Sequence, residues 1–401
     1  MDNSEKQNAL TPFESEIILE SLRKGVVPIH NLKRFSVGRQ FWLDSITSDL
    51  DFVRQGASRV RFLSAPYGGG KTHFLCLVKE EALKKRYVVS YIELHSREAP
   101  MDRFEIIFPK IIRGIVTSEG NNGLEHIFET WVNSFHFYSQ DEIEKNLRDI
   151  APSLDFRAAV RSYLNFAGTK SLDHQEYMRA ILGWLGGSKL PSQLAVKTGI
   201  RNTISISNVS EIMGSFLRFI RSIGFSGLLL LLDEAEAVTS LTQSRKRAEA
   251  NQNIRKILDN ADNYLGLYII FATTPRFMED PINGARSYPA LWQRIKDVTN
   301  LNLQRLNRRS IIIPLLFLGE RELRKLADII IGIHGKAYNW EVSKQFTEKA
   351  KNSYIQSFQQ RSSQKLVRPF IRSLVALLDI LEQMGDEIDL DTEIQKLTFE
   401  E

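Results

Sequence analysis

Cysteine is almost missing from this chain. Among 401 residues there is one, Cys76. A single thiol excludes an internal disulfide and any zinc finger built on paired cysteines. Cys76 lies in His73-Phe74-Leu75-Cys76-Leu77-Val78. That context predicts a small packed group on a buried helix rather than a catalytic thiol. Long apolar runs are missing as well. The run Leu228 to Leu232 is far too short to cross a bilayer. Met1 to Leu10 is polar and lacks the basic-then-apolar pattern of a secretory leader. A cytoplasmic location with no membrane partner is therefore expected. No internal repeat or low-complexity segment is present.

What is there is an ordinary globular mixture, 43% apolar and 25% charged, long enough for more than one domain. The net charge of +5 is unevenly spread. Leu366 to Glu401 holds nine acids and three bases, a net of −6, which leaves +11 on the rest. A basic body with an acidic tail is compatible with a nucleic-acid partner and with many other soluble proteins.

Periodicity predicts a helix over Phe13–Lys24 and another over Gln40–Gln55, then a strand over Arg59–Ser64. A glycine-rich turn, Ala65 to Gly70, separates that strand from a helix over Lys71–Lys85. A second strand is predicted over Tyr87–Leu94. From Arg103 to Ile223 the pattern is almost wholly helical, including segments Phe104–Ile115 and Leu124–Phe137. That is too long for one crossover and predicts a helical insertion. Ser226–Leu232 and Leu265–Ala272 read as strands buried on both faces of a parallel sheet. Ser310–Leu315 reads as a last strand. From Gly319 onward only helical spacing remains, with helices expected near 320–335, 341–359 and 366–384. The expected fold is α/β, a parallel sheet flanked by helices, with an N-terminal segment over 1–57, a core over 58–316 and a helical C-terminal domain over 317–401.

The strongest local signal is Ala65-Pro66-Tyr67-Gly68-Gly69-Gly70-Lys71-Thr72. It matches G-x-x-x-x-G-K-[ST], with Ala65 in place of the first glycine. Such a loop turns main-chain N–H groups inward around phosphate oxygens, and the following helix adds its positive end. Lys71 would reach the outer phosphates of ATP and the Thr72 hydroxyl would ligate Mg²⁺. His73 follows at the helix start. Gly227-Leu228-Leu229-Leu230-Leu231-Leu232-Asp233-Glu234 is an apolar strand ending in two acids. Asp233 would hold the Mg²⁺ ion and Glu234 would orient and deprotonate the attacking water. Thr273, at the end of the next buried strand, would hydrogen-bond the γ-phosphate or that water, or is a simple polar strand end. Arg294 and Arg368 are candidates for stabilising transition-state charge, Arg368 within its own chain and Arg294 across a subunit interface. A surface salt bridge is the alternative for each.

In this order, Val37-Gly38-Arg39, the glycine-rich loop, Asp233-Glu234, Thr273, Arg294 and a helical lid with Arg368 resemble the AAA+ P-loop ATPases, near their origin-recognition and STAND branches. The resemblance implies that Val37, Gly38, Val27 and Pro28 line an adenine pocket. Phe35 to Arg39, Ala65 to Leu75, Val89 to Leu94, Gly224 to Leu228, Asp233-Glu234-Ala235-Glu236, Tyr288 to Leu291 and Arg368-Pro369-Phe370 resemble the BREX-type ATP-binding proteins (BrxD-like) of antiphage defence. What this implies is an oligomeric ATPase working with other defence proteins, on DNA. The alternative is a nucleotide-dependent scaffold with slow turnover. Ser244 to Arg247, Arg255-Lys256 and Arg308-Arg309 are candidate DNA contacts. Their other reading is a solvated helix face or a subunit contact.

Overall fold

The computed structural model describes residues 10–28, 31–120, 122–134, 139–168, 171–296 and 307–399. By its contacts the chain divides into two compact units. One comprises residues 44–64 and 78–313. The other comprises residues 1–43, 65–77 and 314–401.

The first unit is built on a six-stranded sheet. Its strands are β1 (Arg59–Ser64), β2 (Val88–Glu93), β3 (Ile115–Val116), β4 (Leu228–Asp233), β5 (Leu267–Thr273) and β6 (Ile312–Pro314). Their spatial order is β3-β2-β4-β5-β1-β6. β2 with β4, β4 with β5, and β5 with β1 are parallel, and β3 pairs antiparallel with β2. Every residue of β4 and β5 is buried, as continuous apolar strands require in a sheet covered on both faces. The strand at Ser226–Leu232 starts two residues later than expected. Gly227 adopts φ 152°, and a Cβ there would lie 2.2 Å from the Gly266 carbonyl oxygen. Two loop glycines thus meet where β4 and β5 begin. The strand β3 was not visible in the periodicity. Two residues are too few to display alternation, and Ile115 read as the end of the preceding helix.

Seven helices between β2 and β4 are described: Phe104–Arg113, Gly123–Ser134, Gln140–Ile150, Leu154–Ala167, Leu172–Leu185, Ser192–Thr198 and Val209–Ser222. They share one apolar core with the sheet. Phe219 is its hub, with ring centroids 5.2–5.6 Å from Trp131, Phe128 and Phe156. The expected helix Leu124–Phe137 runs in part beyond the described residues. A buried polar network anchors β1. The Asp49 carboxylate accepts from Arg61 Nε at 2.8 Å and from the Tyr268 hydroxyl at 2.8 Å, and Arg59 Nε lies 3.3 Å away.

In the second unit the helix Pro12–Arg23 packs with Glu320–Tyr338 and Val367–Met384 around its own apolar core. Thr11 and Glu14 form a reciprocal capping box that starts the N-terminal helix. Arg23 ends it with a two-pronged ion pair to Asp379, at 2.8 and 2.6 Å. His334 Nε2 lies 2.9 Å from the same carboxylate, while Trp340 Nε1 donates to His334 Nδ1 at 3.0 Å. The helical stretch expected at 341–359 is two helices, Val342–Gln345 and Glu348–Arg361. Thr347 separates them, and its side chain accepts from the Ala350 N–H.

Candidate functional site

The glycine-rich loop begins at the residue after β1. Gly68 and Gly70 take φ 68° and 89°, which side chains rarely adopt. A Cβ on Gly69 would sit 2.9 Å from the Pro66 carbonyl oxygen, so the middle position also requires glycine. Ala65 is buried and its φ is not positive, so the missing first glycine costs the turn nothing. Lys71 opens the helix Lys71–Lys84. Its ammonium donates to the Ala65 carbonyl at 3.3 Å and lies 4.7 Å above the Tyr67 ring. Thr72 is exposed at the helix start, and Cys76 is half-buried further along. His73 Nε2 lies 3.2 Å from the Leu32 carbonyl. Burial pushes the His73 pKa down, which favours a neutral ring.

Two further groups in this unit reach the loop. The Arg368 N–H, at the head of the helix Val367–Met384, points to the Gly68 carbonyl at 3.4 Å. Arg39 is buried. Its guanidinium donates to the Gly69 carbonyl at 3.3 Å and the Leu316 carbonyl at 2.8 Å. No carboxylate among the described residues forms an ion pair with it, and burial lowers its pKa to about 10. A buried cation held only by carbonyl groups is expensive and favours an incoming anion. Val37 and Gly38 line a cleft of about 470 Å³, together with Arg321, Glu322 and Lys325. Val27 and Pro28 do not line it.

In the sheet unit, parallel register brings the remaining candidates to the C-terminal edge, where ligands of open α/β sheets bind. Asp233 ends β4 and is buried. Its Oδ1 accepts the Glu234 N–H at 2.9 Å and its Oδ2 accepts the Tyr91 hydroxyl at 2.5 Å. Glu234 stands at φ 54°, ψ 40°, a left-handed conformation uncommon for a residue with a side chain. It starts the 3-10 turn Ala235–Ser240. Thr273 ends β5 opposite Ser64, fully buried, and its hydroxyl oxygen has no hydrogen-bond partner among the described residues. A buried, unsatisfied hydroxyl at a strand end is unusual and favours an incoming polar group.

Arg294 is placed elsewhere. It pairs with Asp259 and donates to the Ala290 carbonyl. Asp259 lies at the end of the helix Ser244–Asn260, and Asp262 just beyond accepts from the Ser58 hydroxyl beside the start of β1. Arg294 is therefore tied to the end of that helix, and its described polar partners include neither Asp233 nor Thr273. Of the basic clusters, Arg245 is exposed but bonded to Glu249, and Arg255 lies 3.7 Å from Asp259. Arg247 donates to the Leu241 carbonyl. His95 accepts two N–H groups of its own turn, from Arg97 and Glu98.

The glycine cradle and the counter-ion-poor Arg39 suit a nucleotide phosphate, and Thr72 in that unit and Asp233 in the sheet unit each offer oxygen, the ligand type that Mg²⁺ prefers. The whole span from 10 to 397 matches one family model, that of the BREX system ATP-binding proteins BrxC/D. The chain belongs to this family. The family description supports ATP binding and membership of a multi-protein defence system. No curated protein matches the chain. Among the described residues no helix is long and apolar enough to cross a membrane. Arg39 and Tyr91 are the site residues that sequence reasoning did not single out. The signal for Arg39 was its place beside Val37-Gly38. For Tyr91 it was a phenol two residues before the end of the strand that pairs with β4.

Proposed function

We propose that this chain is an AAA+-like ATPase that binds Mg·ATP and hydrolyses it, acting as a motor or switch in its defence system. The observation that carries the reading is the loop Ala65–Gly70, in which Gly68 and Gly70 take angles that only glycine adopts readily, opening directly into Lys71. Main-chain N–H groups of the loop would surround the phosphates, with Lys71 neutralising charge on the outer ones. Pro66 to Gly70 and His73 shape that cradle. Thr72 and Asp233 would hold Mg²⁺, which when bound supplies charge neutralisation between the outer phosphates. Glu234 would take a proton from the attacking water as its oxygen bonds to the γ-phosphorus and the bond from that phosphorus to the β–γ bridging oxygen breaks, so that ADP leaves and phosphate is formed. The Thr273 hydroxyl would orient that water or the γ-phosphate. Arg368 would sense the phosphates within the chain, with residues 317–401 serving as the helical lid, and Val37 and Gly38 would face the base. Arg294 would reach only a nucleotide held by a neighbouring copy, which requires an oligomer.

A slower scaffold remains as a second reading, and one observation favours it: both Asp233 oxygens are already engaged by the chain. Glu234→Gln separates the two. In the motor reading it retains ATP, loses turnover and loses the defence output. In the scaffold reading the output survives. DNA is the partner we propose for the basic helix Ser244–Asn260, where Arg245 and Lys246 are exposed. Turnover measured with and without duplex DNA tests that proposal.

A further inference from the structure

The acid at the end of β4 is gripped from both sides. One oxygen takes the N–H of the next residue, at 2.9 Å, and the other takes a phenol, at 2.5 Å. The sheet explains the second grip. Tyr91 opposes Leu231 and Glu93 opposes Asp233 in the parallel register of β2 and β4. Strand alternation then puts Tyr91 and Asp233 on one face, displaced by two residues. Only a long polar side chain spans that diagonal. The separation of 2.5 Å is that of a charge-assisted O–H···O⁻ bond. The ring of Tyr91 is half-buried, so phenylalanine would fill its place and remove the hydroxyl alone.

A carboxylate held at one oxygen still turns about its last bond. Held at both, it presents its lone pairs in one direction. We propose that Tyr91 is the positioning residue for the magnesium-side carboxylate. The phenol sets the rotation of Asp233, and through it the strength with which Mg²⁺ joins the bound nucleotide. This rests on the reading of Asp233 as the magnesium-holding acid. It assigns no chemistry to Tyr91 itself. Outer hydrogen-bond partners of metal ligands act in this way generally, by fixing the ligand's orientation.

The test is Tyr91→Phe in the full chain. Binding of a fluorescent ATP analogue is followed as Mg²⁺ is titrated from an EDTA baseline. Expected is a roughly tenfold rise in the Mg²⁺ half-saturation point, with affinity in EDTA unchanged within about twofold. In an Asp233→Asn background the same change should have no further effect, because the phenol acts through that carboxylate. This comparison holds even if Tyr91→Phe lowers stability, since the coupling between the two changes is what is read. Superimposable Mg²⁺ curves for the natural protein and Tyr91→Phe would overturn the proposal and leave the ATPase reading intact. So would an equal loss with and without Asp233. A natural protein whose nucleotide binding ignores Mg²⁺ would overturn both.

Discussion

Among the described residues, each unit of this protein buries one arginine, and the two are treated differently. Arg61 on β1 meets Asp49, which also takes the Tyr268 hydroxyl, and donates to the Arg308 carbonyl. Among the described residues, the Arg39 guanidinium in the other unit donates to the carbonyls of Gly69 and Leu316 alone, and burial lowers its pKa to about 10. The first is a closed network. The Arg61 guanidinium faces acceptors and its charge is answered within the fold. The second is an open one, lying against the loop where a phosphate is expected. A charge that the fold leaves unanswered is a better pointer to a ligand than a charge that it satisfies.

That contrast is open to attack at several points. The largest effect expected is on turnover. Glu234→Gln should lower the ATP hydrolysis rate by about 10²–10⁴-fold, measured as phosphate release, with nucleotide still bound. Next is stability. Asp49→Ala strands Arg61 in the sheet unit and should cost about 3–5 kcal/mol in chemical denaturation. Arg39→Met should do the opposite without ligand. It removes a desolvated charge, so unfolding free energy should stay level or rise by about 1–4 kcal/mol while ATP affinity falls. Equal destabilisation by the two changes would erase the distinction between closed and open networks.

A smaller, pH-dependent effect is expected where Arg23 meets Asp379. Burial acts to raise the Asp379 pKa, but hydrogen bonds from Arg23 and His334 prevail and hold it at about 2. A carboxyl depressed in the folded state stabilises above its unfolded pKa and loses that contribution as pH falls through the folded one. Thermal melts should therefore lose stability between about pH 4 and pH 2, and Asp379→Asn should flatten that part of the curve. The smallest effect is electrostatic. Arg245→Ala should weaken duplex binding uniformly across sequences and reduce the salt slope by about one.

Much of this was legible in the sequence, for identifiable reasons. β1 was read at its observed bounds because Arg59–Ser64 sits between a glycine and the loop. β4 and β5 were found because fully buried strands are continuous apolar runs. The loop was legible because its geometry is imposed by glycine, which sequence records directly. Other features depend on what lies far away in the chain. The pairing of Tyr91 with Asp233 needs the register of two strands separated by seven described helices. The isolation of Arg39 is a matter of what surrounds it, and no local pattern states that. The packing of the helix Pro12–Arg23 with Val367–Met384 joins residues more than 300 positions apart through Arg23 and Asp379, separated by 356 positions. Periodicity carries no trace of such partners.

Calorimetric titration of the full chain with Mg·ATP, set beside the same titration of Lys71→Ala, tests the central claim most directly. The account predicts saturable one-site binding by the natural protein and a loss of affinity of about ten- to a hundredfold in the variant, as removal of a charge-assisted phosphate contact implies. Equal affinity in the two proteins would contradict it.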